Sequence, residues 1–295
     1  MNTPTVIRPR AEDVEGQPIL RPLPSAKCRS VGPFVFFDHM LQTRYPAGKG
    51  MNIRQHPHIG LSTLTYLFEG EIQHKDSLGS DQRVKPGDVS WMTAGSAIAH
   101  VERTPETLKA SGFSMHGLQI WLASPKKYEQ GPGHYSHYPA ASLPVSDNLG
   151  VRIRMIAGAG FCLESPVPVL SPTLYAELHL QTATTLLIPD EHEERALYVL
   201  DGDAQLDGEP VEAHSLVVLP AGEVMTLFAQ SDCHAVLFGG APMDGPRRIN
   251  WNFVASDPAL IDQARARWAA GDWPKVPGET ERIELPVGRA APTPL

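Results

Sequence analysis

Short apolar runs alternate with turn residues along the whole chain. The runs are rich in β-branched and aromatic side chains, and glycine, proline, aspartate or serine bounds each of them. Runs of about four to eight such residues are typical of β-strands. In the first half they are VGPFVFFDHM (31–40), LSTLTYLFEGEIQHKD (61–76), DVSWMTAG (88–95) and HGLQIWLA (116–123). The 28 prolines and 25 glycines also favour many strands joined by turns.

The second half repeats this pattern. Its runs are VRIRMIAG (151–158), LYAELHLQ (174–181), TTLLIPDEHEERALYVLDGDAQLDG (184–208) and SLVVLPAGEVMTLFAQ (215–230). The turn Glu69-Gly70 has a counterpart in Asp201-Gly202, and MTAG (92–95) has one in LPAG (219–222). A repeat at about 130 residues is too long for a solenoid and fits two copies of a small barrel. The pattern predicts an all-β fold of two tandem antiparallel β-barrels.

A polar, proline-rich stretch from Ser124 to Gly150 separates the two halves. It has no strand or helix periodicity, so we interpret its centre, residues 131–150, as an ordered linker. The predicted domains are therefore 1–130 and 151–295, the second ending in a helix and a tail. The alternative is a long surface loop within a single domain.

One segment, residues 256–273, has a helical pattern. Asp257 is suited to the N-cap, Pro258 to the first helical position and Gly271 to the C-terminal stop. The apolar stripe comprises Leu260, Ile261, Ala264 and Trp268. We expect this helix to pack on the outer wall of a barrel, and we assign it no chemistry.

Charge and cysteine content limit the classes of function. The formal net charge is −8 and no run of Lys and Arg interrupts it, which argues against direct binding of nucleic acid. Three widely spaced cysteines without a CxxC motif argue against a disulfide framework or a structural zinc–thiolate site. The first residues lack the apolar core of a secretory signal, and no apolar run reaches the length of a membrane span. We expect a cytoplasmic protein without a membrane partner.

Two pairs of metal-ligand residues have the spacing of one strand face. His56 and His58 flank Pro57, and His100 and Glu102 follow about 42 residues later. Residues i and i+2 of a strand point to the same side, so each pair converges. Antiparallel strands can bring the two pairs opposite each other, which would direct three imidazoles and one carboxylate at a common point. Such a set suits iron, zinc, copper or nickel.

The motifs that carry these pairs resemble the cupin superfamily and, within it, the pirin family. They are HPHIGLSTLTYLFEGEIQHKDSLG (56–79), VKPGDVSWMTAG (84–95) and IAHVE (98–102), supported by GPFVFFDHM (32–40), HGLQIWL (116–122) and GGAPMDGPRRINWNFVAS (239–256). The resemblance covers essentially the whole chain. It implies a bicupin with one divalent metal ion in the N-terminal barrel only, most often Fe²⁺, with zinc, nickel, manganese or copper as alternatives. The ligands it implies are His56, His58, His100 and Glu102.

This chain departs from the family pattern at one position. Pirin-like proteins usually carry a glutamate four residues after the second histidine, and Ser62 stands there. The resemblance places that carboxylate beside the metal, so its absence leaves Glu102 as the one carboxylate that the motifs assign to the site. In the second half, Met225 stands where a cupin histidine is expected, which predicts a C-terminal barrel without a metal site. We interpret His74 as solvated and His39 and His116 as structural.

The resemblance implies an oxidoreductase of the quercetin 2,3-dioxygenase type. Glu102 would take the proton of the flavonol hydroxyl, and the barrel wall would hold the aromatic rings. Candidate lining residues are Phe36, Ser62, Tyr66, Trp91 and Met92. The alternative is a non-catalytic, redox-sensing regulatory protein that binds a transcription factor or a metabolic enzyme, and a zinc-stabilised cupin without activity is a third. The expected partner is thus a small aromatic substrate or a protein.

Overall fold

The computed structural model of the chain describes residues 4–286 and 291–295. Strands dominate it. The first half of the chain contains β1 (Thr5–Ile7), β2 (Arg10–Val14), β3 (Gln17–Leu23), β4 (Phe34–Tyr45), β5 (Asn52–His58), β6 (Leu61–Glu69), β7 (Ile72–Asp76), β8 (Asp81–Val84), β9 (Val89–Thr93), β10 (Ile98–Arg103), β11 (Phe113–Ala123) and β12 (His134–Tyr138). A six-residue helix that the sequence did not predict, α1 (Glu106–Ser111), lies between β10 and β11.

The second half of the chain also consists mainly of short strands. Its strands are β13 (Val145–Asn148), β14 (Val151–Gly160), β15 (Leu163–Glu164), β16 (Thr173–Leu180), β17 (Thr185–Ile188), β18 (Glu194–Asp201), β19 (Ala204–Leu206), β20 (Glu209–Val211), β21 (Leu216–Leu219), β22 (Met225–Ala229), β23 (Cys233–Gly240), β24 (Arg248–Asn250), β25 (Phe253–Ala255) and β26 (Thr293–Pro294). One longer helix, α2 (Pro258–Ala270), lies between β25 and β26. The all-β prediction with a short C-terminal helix is confirmed.

Two compact units divide the chain, and each gathers segments that are distant in sequence. The N-terminal barrel unit comprises residues 11–20, 37–140 and 244–295, and the C-terminal barrel unit comprises residues 1–10, 21–36 and 141–243. This division differs from the predicted boundaries at both ends of the chain, because strand pairing joins residues that a linear reading keeps apart. The edge strand β1, for example, pairs with β21 (Thr5 opposite Val218).

In the N-terminal barrel unit two antiparallel sheets enclose the core. One has the strand order β12-β9-β6-β11-β4-β3-β2 and the other has the order β5-β10-β7-β8. Alternation along the strands turns apolar residues inward, and Ile19, Met40, Leu67, Ile72 and Met115 form a buried cluster there. The strands of the second sheet carry the histidine pairs.

In the C-terminal barrel unit the strand order β1-β21-β18-β23-β16-β14-β13 faces a smaller sheet with the order β17-β22-β19-β20. The interior is an apolar core of branched side chains that includes Leu178, Leu197, Leu227 and Leu237. Met225 belongs to this core and is buried, so the position where a cupin histidine was expected is occupied by a packed thioether side chain.

The helix α2 begins and ends as predicted. The Asp257 side chain accepts a hydrogen bond from the Ala259 amide, Pro258 occupies the first turn, and Gly271 adopts a left-handed conformation at φ 73°. Its buried face packs with Ala99 and Val101 of β10 and with Ile59, which follows β5, all in the N-terminal barrel unit. The helix therefore belongs to that unit, whereas the predicted boundaries assigned it to the C-terminal barrel.

The predicted linker contains two short strands. β12 pairs with β9 of the N-terminal barrel unit, and β13 pairs with β14 of the C-terminal barrel unit. No helix among residues 4–286 and 291–295 is long and apolar enough to cross a membrane.

Candidate metal centre

Three histidines from two adjacent strands meet at one point inside the N-terminal barrel unit. His100 of β10 lies directly opposite His56 of β5, and His58 is two residues further along β5. One ring nitrogen of each histidine lies within 4.8 Å of the other two. The Nε2 atoms of His58 and His100 are 3.1 Å apart. Two nitrogens bound to one tetrahedral zinc ion would be about 3.3 Å apart, so the spacing is that of ligands sharing an ion.

Hydrogen bonds to the Nδ1 atoms orient these rings. His56 Nδ1 lies 2.9 Å from the Arg54 carbonyl oxygen, and His58 Nδ1 lies 3.2 Å from that of Asn252. A carbonyl only accepts, so each Nδ1 carries the proton and each Nε2 keeps its lone pair. Partners of this kind fix the tautomer of metal-binding histidines.

Burial keeps the three imidazoles neutral. It lowers the pKa of His56 to about 4, and it lowers the pKa of His58 and His100 well below 6.5. The neighbouring imidazoles lower each pKa further, because a second positive charge would be repelled. A divalent cation binds neutral imidazole, so the cluster has the protonation state that a metal requires at neutral pH.

Behind His100 lies a relay that the sequence analysis missed. His74 Nδ1 is 3.4 Å from His100 Nδ1, and His74 Nε2 is 3.1 Å from Asp76 Oδ2. The Asp76 carboxylate also accepts amide hydrogen bonds from Leu78 and Ser80. His74 is 2% exposed, so the expectation that it is solvated is wrong. The alternation Ile72-x-His74-x-Asp76, with every second residue buried, is the signal that could have revealed it.

Glu102 shares the strand face of this relay but stands apart from the three nitrogens. It lies opposite His74 on β7, and its Oε1 lies 3.2 Å from the Thr65 hydroxyl. A bulge shifts the register between His100 and Glu102, so Glu102 faces Ile53 of β5 instead of the histidine pair. The carboxyl is buried, which raises its pKa above the ordinary value, while nearby His74 and Thr65 lower it in part.

The opposite wall of the barrel adds aromatic and hydroxyl groups. The Trp121 ring contacts the His58 ring edge-on at 5.2 Å between centroids, so Trp121 of β11 faces the site. Thr63 lies opposite Trp121 and shares its face, and Ser62 therefore points to the other side of β6. There the Ser62 hydroxyl is 2.9 Å from the Thr93 hydroxyl. The residue at position 62 does not face the histidines, so its substitution removes no carboxylate from their side.

The five predicted lining residues divide between the two faces. Met92 lies opposite Thr63 and so faces the site side. Tyr66 and Trp91 alternate with that face and point away, and the Trp91 indole donates to Thr93 instead. Phe36 belongs to the C-terminal barrel unit, where the Arg21 guanidinium lies 4.4 Å from its ring centroid. The sequence could not predict which alternate positions face inward without the pairing register.

The remaining predicted structural histidines form a pair. His39 Nε2 lies 2.9 Å from His116 Nε2, so one ring donates and the other accepts. His39 is buried beside this partner, which agrees with a structural role. His192 of the C-terminal barrel unit is bonded to the Ala159 carbonyl.

Comparisons with known proteins place this geometry in context. The family model described as Pirin matches residues 16–122, and the Pirin C-terminal cupin domain matches residues 175–274. A pirin-like protein of Caulobacter vibrioides is 43% identical over 89% of this chain and 91% of its own length. The crystal structure of quercetin 2,3-dioxygenase from Acinetobacter baumannii is 32% identical, with a TM-score of 0.90 over 98% of this chain and 97% of that one.

A more distant structure shares the fold. The bacterial pirin YhhW of Escherichia coli, solved in complex with nickel(II), is 18% identical, with a TM-score of 0.64 over 82% of this chain and 100% of that one. The predicted bicupin architecture is confirmed by these structures together with the two barrel units.

Proposed function

The chain belongs to the pirin family of cupin proteins, and from that premise we propose that it is a metal-dependent dioxygenase that cleaves flavonols such as quercetin. The observation that carries the proposal is the cluster of three neutral, buried imidazoles, each with one ring nitrogen within 4.8 Å of the other two. The similarity to the quercetin 2,3-dioxygenase of A. baumannii supports the choice of substrate.

The ion in this proposal is Fe²⁺, held by His56, His58 and His100 with Glu102 as the carboxylate ligand. Three imidazoles supply nitrogen donors that suit iron, zinc, copper or nickel, and one carboxylate leaves a net charge near +1 on the site. Bound there, the metal supplies Lewis acidity and a binding position for the substrate oxygen.

Glu102 is the group that accepts the proton of the flavonol 3-hydroxyl. Its buried carboxyl has a raised pKa, so it holds a proton more readily than an exposed glutamate. The Thr65 hydroxyl can form a hydrogen bond with Glu102 in both its ionised and its protonated form. Its hydroxyl is 2.7 Å from Gln119 Oε1 and 3.2 Å from Glu102 Oε1. A hydroxyl has one proton and two lone pairs, so Thr65 can donate to an ionised Glu102 and accept from a protonated one while it donates to Gln119. Dioxygen then opens the central ring and carbon monoxide leaves.

The test uses quercetin with the metal-loaded full chain. Flavonol absorbance is followed under air and under nitrogen after loading with iron, nickel, manganese, zinc or copper. We expect oxygen-dependent loss of quercetin with the wild-type protein and a rate at least tenfold lower for Glu102→Gln, which keeps the shape of the side chain. His192→Ala, outside the cluster, serves as the matched control and should be unchanged. Absence of oxygen-dependent loss with every metal would reject the dioxygenase.

A second candidate is a metal-dependent regulatory protein, and the small cavity beside Glu102 is compatible with it. The cavity that Glu102 lines, together with Met40, Ile72 and Gln119, has a volume of about 50 Å³. Sites for drug-sized ligands typically measure about 300–1,000 Å³. This space beside Glu102 is too small for a flavonol, and none of His56, His58 and His100 lines it, whereas a regulatory role would need no ligand pocket there.

This alternative is tested by affinity capture with Fe²⁺-loaded and Fe³⁺-loaded protein. The alternative is supported if a purified transcription factor or metabolic enzyme binds to the protein in one oxidation state and not in the other. The His100→Ala variant should bind neither class of partner. Equal retention by both states and by the variant would reject it.

A further inference from the structure

We propose that the C-terminal barrel unit carries a second divalent-metal site on the outer face of its large sheet, formed by Glu177, His179 and His234. The chemistry is that of two imidazoles and one carboxylate, which suits Zn²⁺ or another late transition-metal ion. This site is independent of the cluster in the N-terminal barrel unit, and the Met225 position inside the C-terminal barrel takes no part in it.

Strand register brings the three side chains together. Glu177 and His179 are two residues apart on β16, and His234 of β23 lies directly opposite His179. The intervening Leu178 and the neighbours Cys233 and Ala235 belong to the apolar core, so the two histidines and the glutamate point outward. Their ligand atoms all lie within 4.8 Å of one another.

The donor atoms have the spacing of a coordination sphere. Glu177 Oε1 is 3.2 Å from His179 Nε2 and 3.1 Å from His234 Nε2. Two ligands of a tetrahedral zinc ion are about 3.3 Å apart, given Zn–N and Zn–O distances near 2.0–2.1 Å. The two rings stack in parallel at 4.1 Å between centroids, which turns both nitrogens toward the same carboxylate oxygen. Binding of one divalent ion requires each imidazole to carry its proton on Nδ1 and the two rings to tilt toward each other, so that both Nε2 lone pairs converge on the ion.

A neighbouring cation orients the carboxylate. Arg154 of β14 lies opposite Glu177, and its guanidinium Nη1 is 3.7 Å from Glu177 Oε2. The other oxygen, Oε1, is thereby directed at the histidines. Interactions of this kind position the ligands of metal sites. The Glu177 side chain is 7% exposed, whereas that of His179 is 47% exposed, so the carboxylate is held in place and one ligand remains accessible to an incoming ion.

The surroundings provide room for the remaining ligands. A polar pocket of about 380 Å³ is lined by His179 and His234 together with Asp201, Asp232 and Arg152. Asp201 of β18 lies opposite His234 and so stands on the same side of the sheet. Water or an aspartate oxygen from this pocket can complete a four-coordinate site.

The test counts metal ions bound to the full chain. Protein stripped with a chelator is dialysed against micromolar Zn²⁺ and analysed for zinc, and Co²⁺ absorption reports the geometry. We expect two ions per chain in the wild type and one in His179→Gln, His234→Gln and Glu177→Gln. These variants keep a hydrogen-bonding group, so circular dichroism should show the native fold. His192→Gln, a histidine of the same unit outside the cluster, should still bind two.

A further variant separates this site from the first cluster. His100→Ala should retain the ion that the three glutamine variants lose. If the first cluster binds no zinc, the wild type should bind one ion that depends on His179 and survives His100→Ala. Retention of full zinc content by the His179→Gln, His234→Gln double variant would overturn the proposal, as would an equal loss in His192→Gln.

Discussion

The protonation of each clustered histidine is set by its partner at Nδ1. The carbonyl oxygens of Arg54 and Asn252 accept hydrogen bonds from the Nδ1 atoms of His56 and His58. The Nδ1 atom of His100 is hydrogen-bonded to that of His74. The Asp76 carboxylate completes this arrangement, because its Oδ2 accepts a hydrogen bond from His74 Nε2 at 3.1 Å. At the residue scale, therefore, we expect the affinity of the cluster for a metal to depend on side chains outside the three histidines.

We predict that Asp76→Asn lowers metal affinity by about 10- to 100-fold, because the amide no longer fixes the tautomer of His74 and the orientation of His100. Competition with a coloured chelator measures the affinity. Asp81→Asn, an exposed carboxylate on the adjacent strand, is the matched control. Equal affinities for the two variants would show that the relay does not tune the site.

The stability of the metal-free protein should fall as the pH is lowered from 6.5. The pKa of His56 is about 4 in the native state, and those of His58 and His100 are also depressed, so the unfolded chain binds protons that the folded chain does not. Each histidine then lowers the free energy of unfolding by about 1.4 kcal/mol for each pH unit of acidification. Glu102 has a raised pKa, so it takes up at most one proton in the folded state and opposes this effect.

Urea unfolding of chelator-stripped protein between neutral pH and about pH 5 measures this dependence. His56→Gln should reduce the slope by about a third, since it removes one of the three groups. His192→Gln should leave it unchanged. A free energy of unfolding that does not vary over this pH range would contradict the burial of neutral imidazoles.

The three thiols should differ in reactivity. Burial raises the pKa of Cys233 to about 11, with Asp201 and Asp203 adding to the effect, and burial also raises the pKa of Cys28. Cys162 is exposed. Because the thiolate is the reactive form, iodoacetamide should modify Cys162 first and Cys233 only after unfolding. Peptide mass spectrometry identifies the sites, and early modification of Cys233 would show that its strand opens in the native state.

At the scale of elements, strand alternation allowed the sequence to predict that His56 and His58 lie on one face of a strand. The spacing His56-x-His58 predicts two rings on one face, and the register of β5 with β10 supplies the third. The pairing partner of Glu102 could not be predicted in this way, because a bulge between His100 and Glu102 changes the register locally. Bulges depend on pairing partners, so no local pattern revealed it.

The β25–α2 segment of the N-terminal barrel unit supports the histidine cluster through packing. Asn252 precedes β25 and accepts from His58, and Trp268 of α2 is buried in the cluster that includes Phe253, Ile59 and Val101. The position of the Asn252 carbonyl therefore depends on how these apolar side chains pack.

We predict that Trp268→Ala lowers the free energy of unfolding by about 3–5 kcal/mol, as expected for removal of a buried aromatic side chain. Metal affinity should fall as well, because the segment that carries Asn252 loses its support. Chemical denaturation and metal titration measure the two effects. Leu187→Ala, an exposed apolar residue of the C-terminal barrel unit, is the control and should change neither. Wild-type metal affinity in a destabilised Trp268→Ala protein would separate α2 from the site.

For the whole molecule, the repeated strand patterns predict two barrels, but they do not predict which terminal segments belong to which barrel. Residues 1–10 belong to the C-terminal barrel unit and residues 244–295 to the N-terminal one. Such exchanges arise from long-range strand pairing, which leaves no trace in the periodicity of either segment. For the same reason the second cluster escaped notice, since Glu177-x-His179 is met by His234 only through the pairing of β16 with β23.

Metal loading should stabilise the native state as a whole. An ion that binds only the folded chain adds about 2.7 kcal/mol at a free concentration 100 times its Kd. We therefore expect a rise in Tm on addition of Fe²⁺ or Zn²⁺ and its reversal by chelator, measured by calorimetry under anaerobic conditions for iron. His56→Ala should respond less than the wild type to the first equivalent. An unchanged Tm in the wild type would contradict binding to the native state.

The return of residues 244–295 to the N-terminal barrel unit has a consequence during biosynthesis. The clustered histidines are synthesised first, and the Asn252 carbonyl and the tryptophans that pack around it follow about 150 residues later in the chain. The nascent chain thus exposes HPH and HVE before the pocket that orients them exists. The Asn252 carbonyl can therefore reach His58 only after residues 244–295 have been synthesised and have packed on the N-terminal barrel unit.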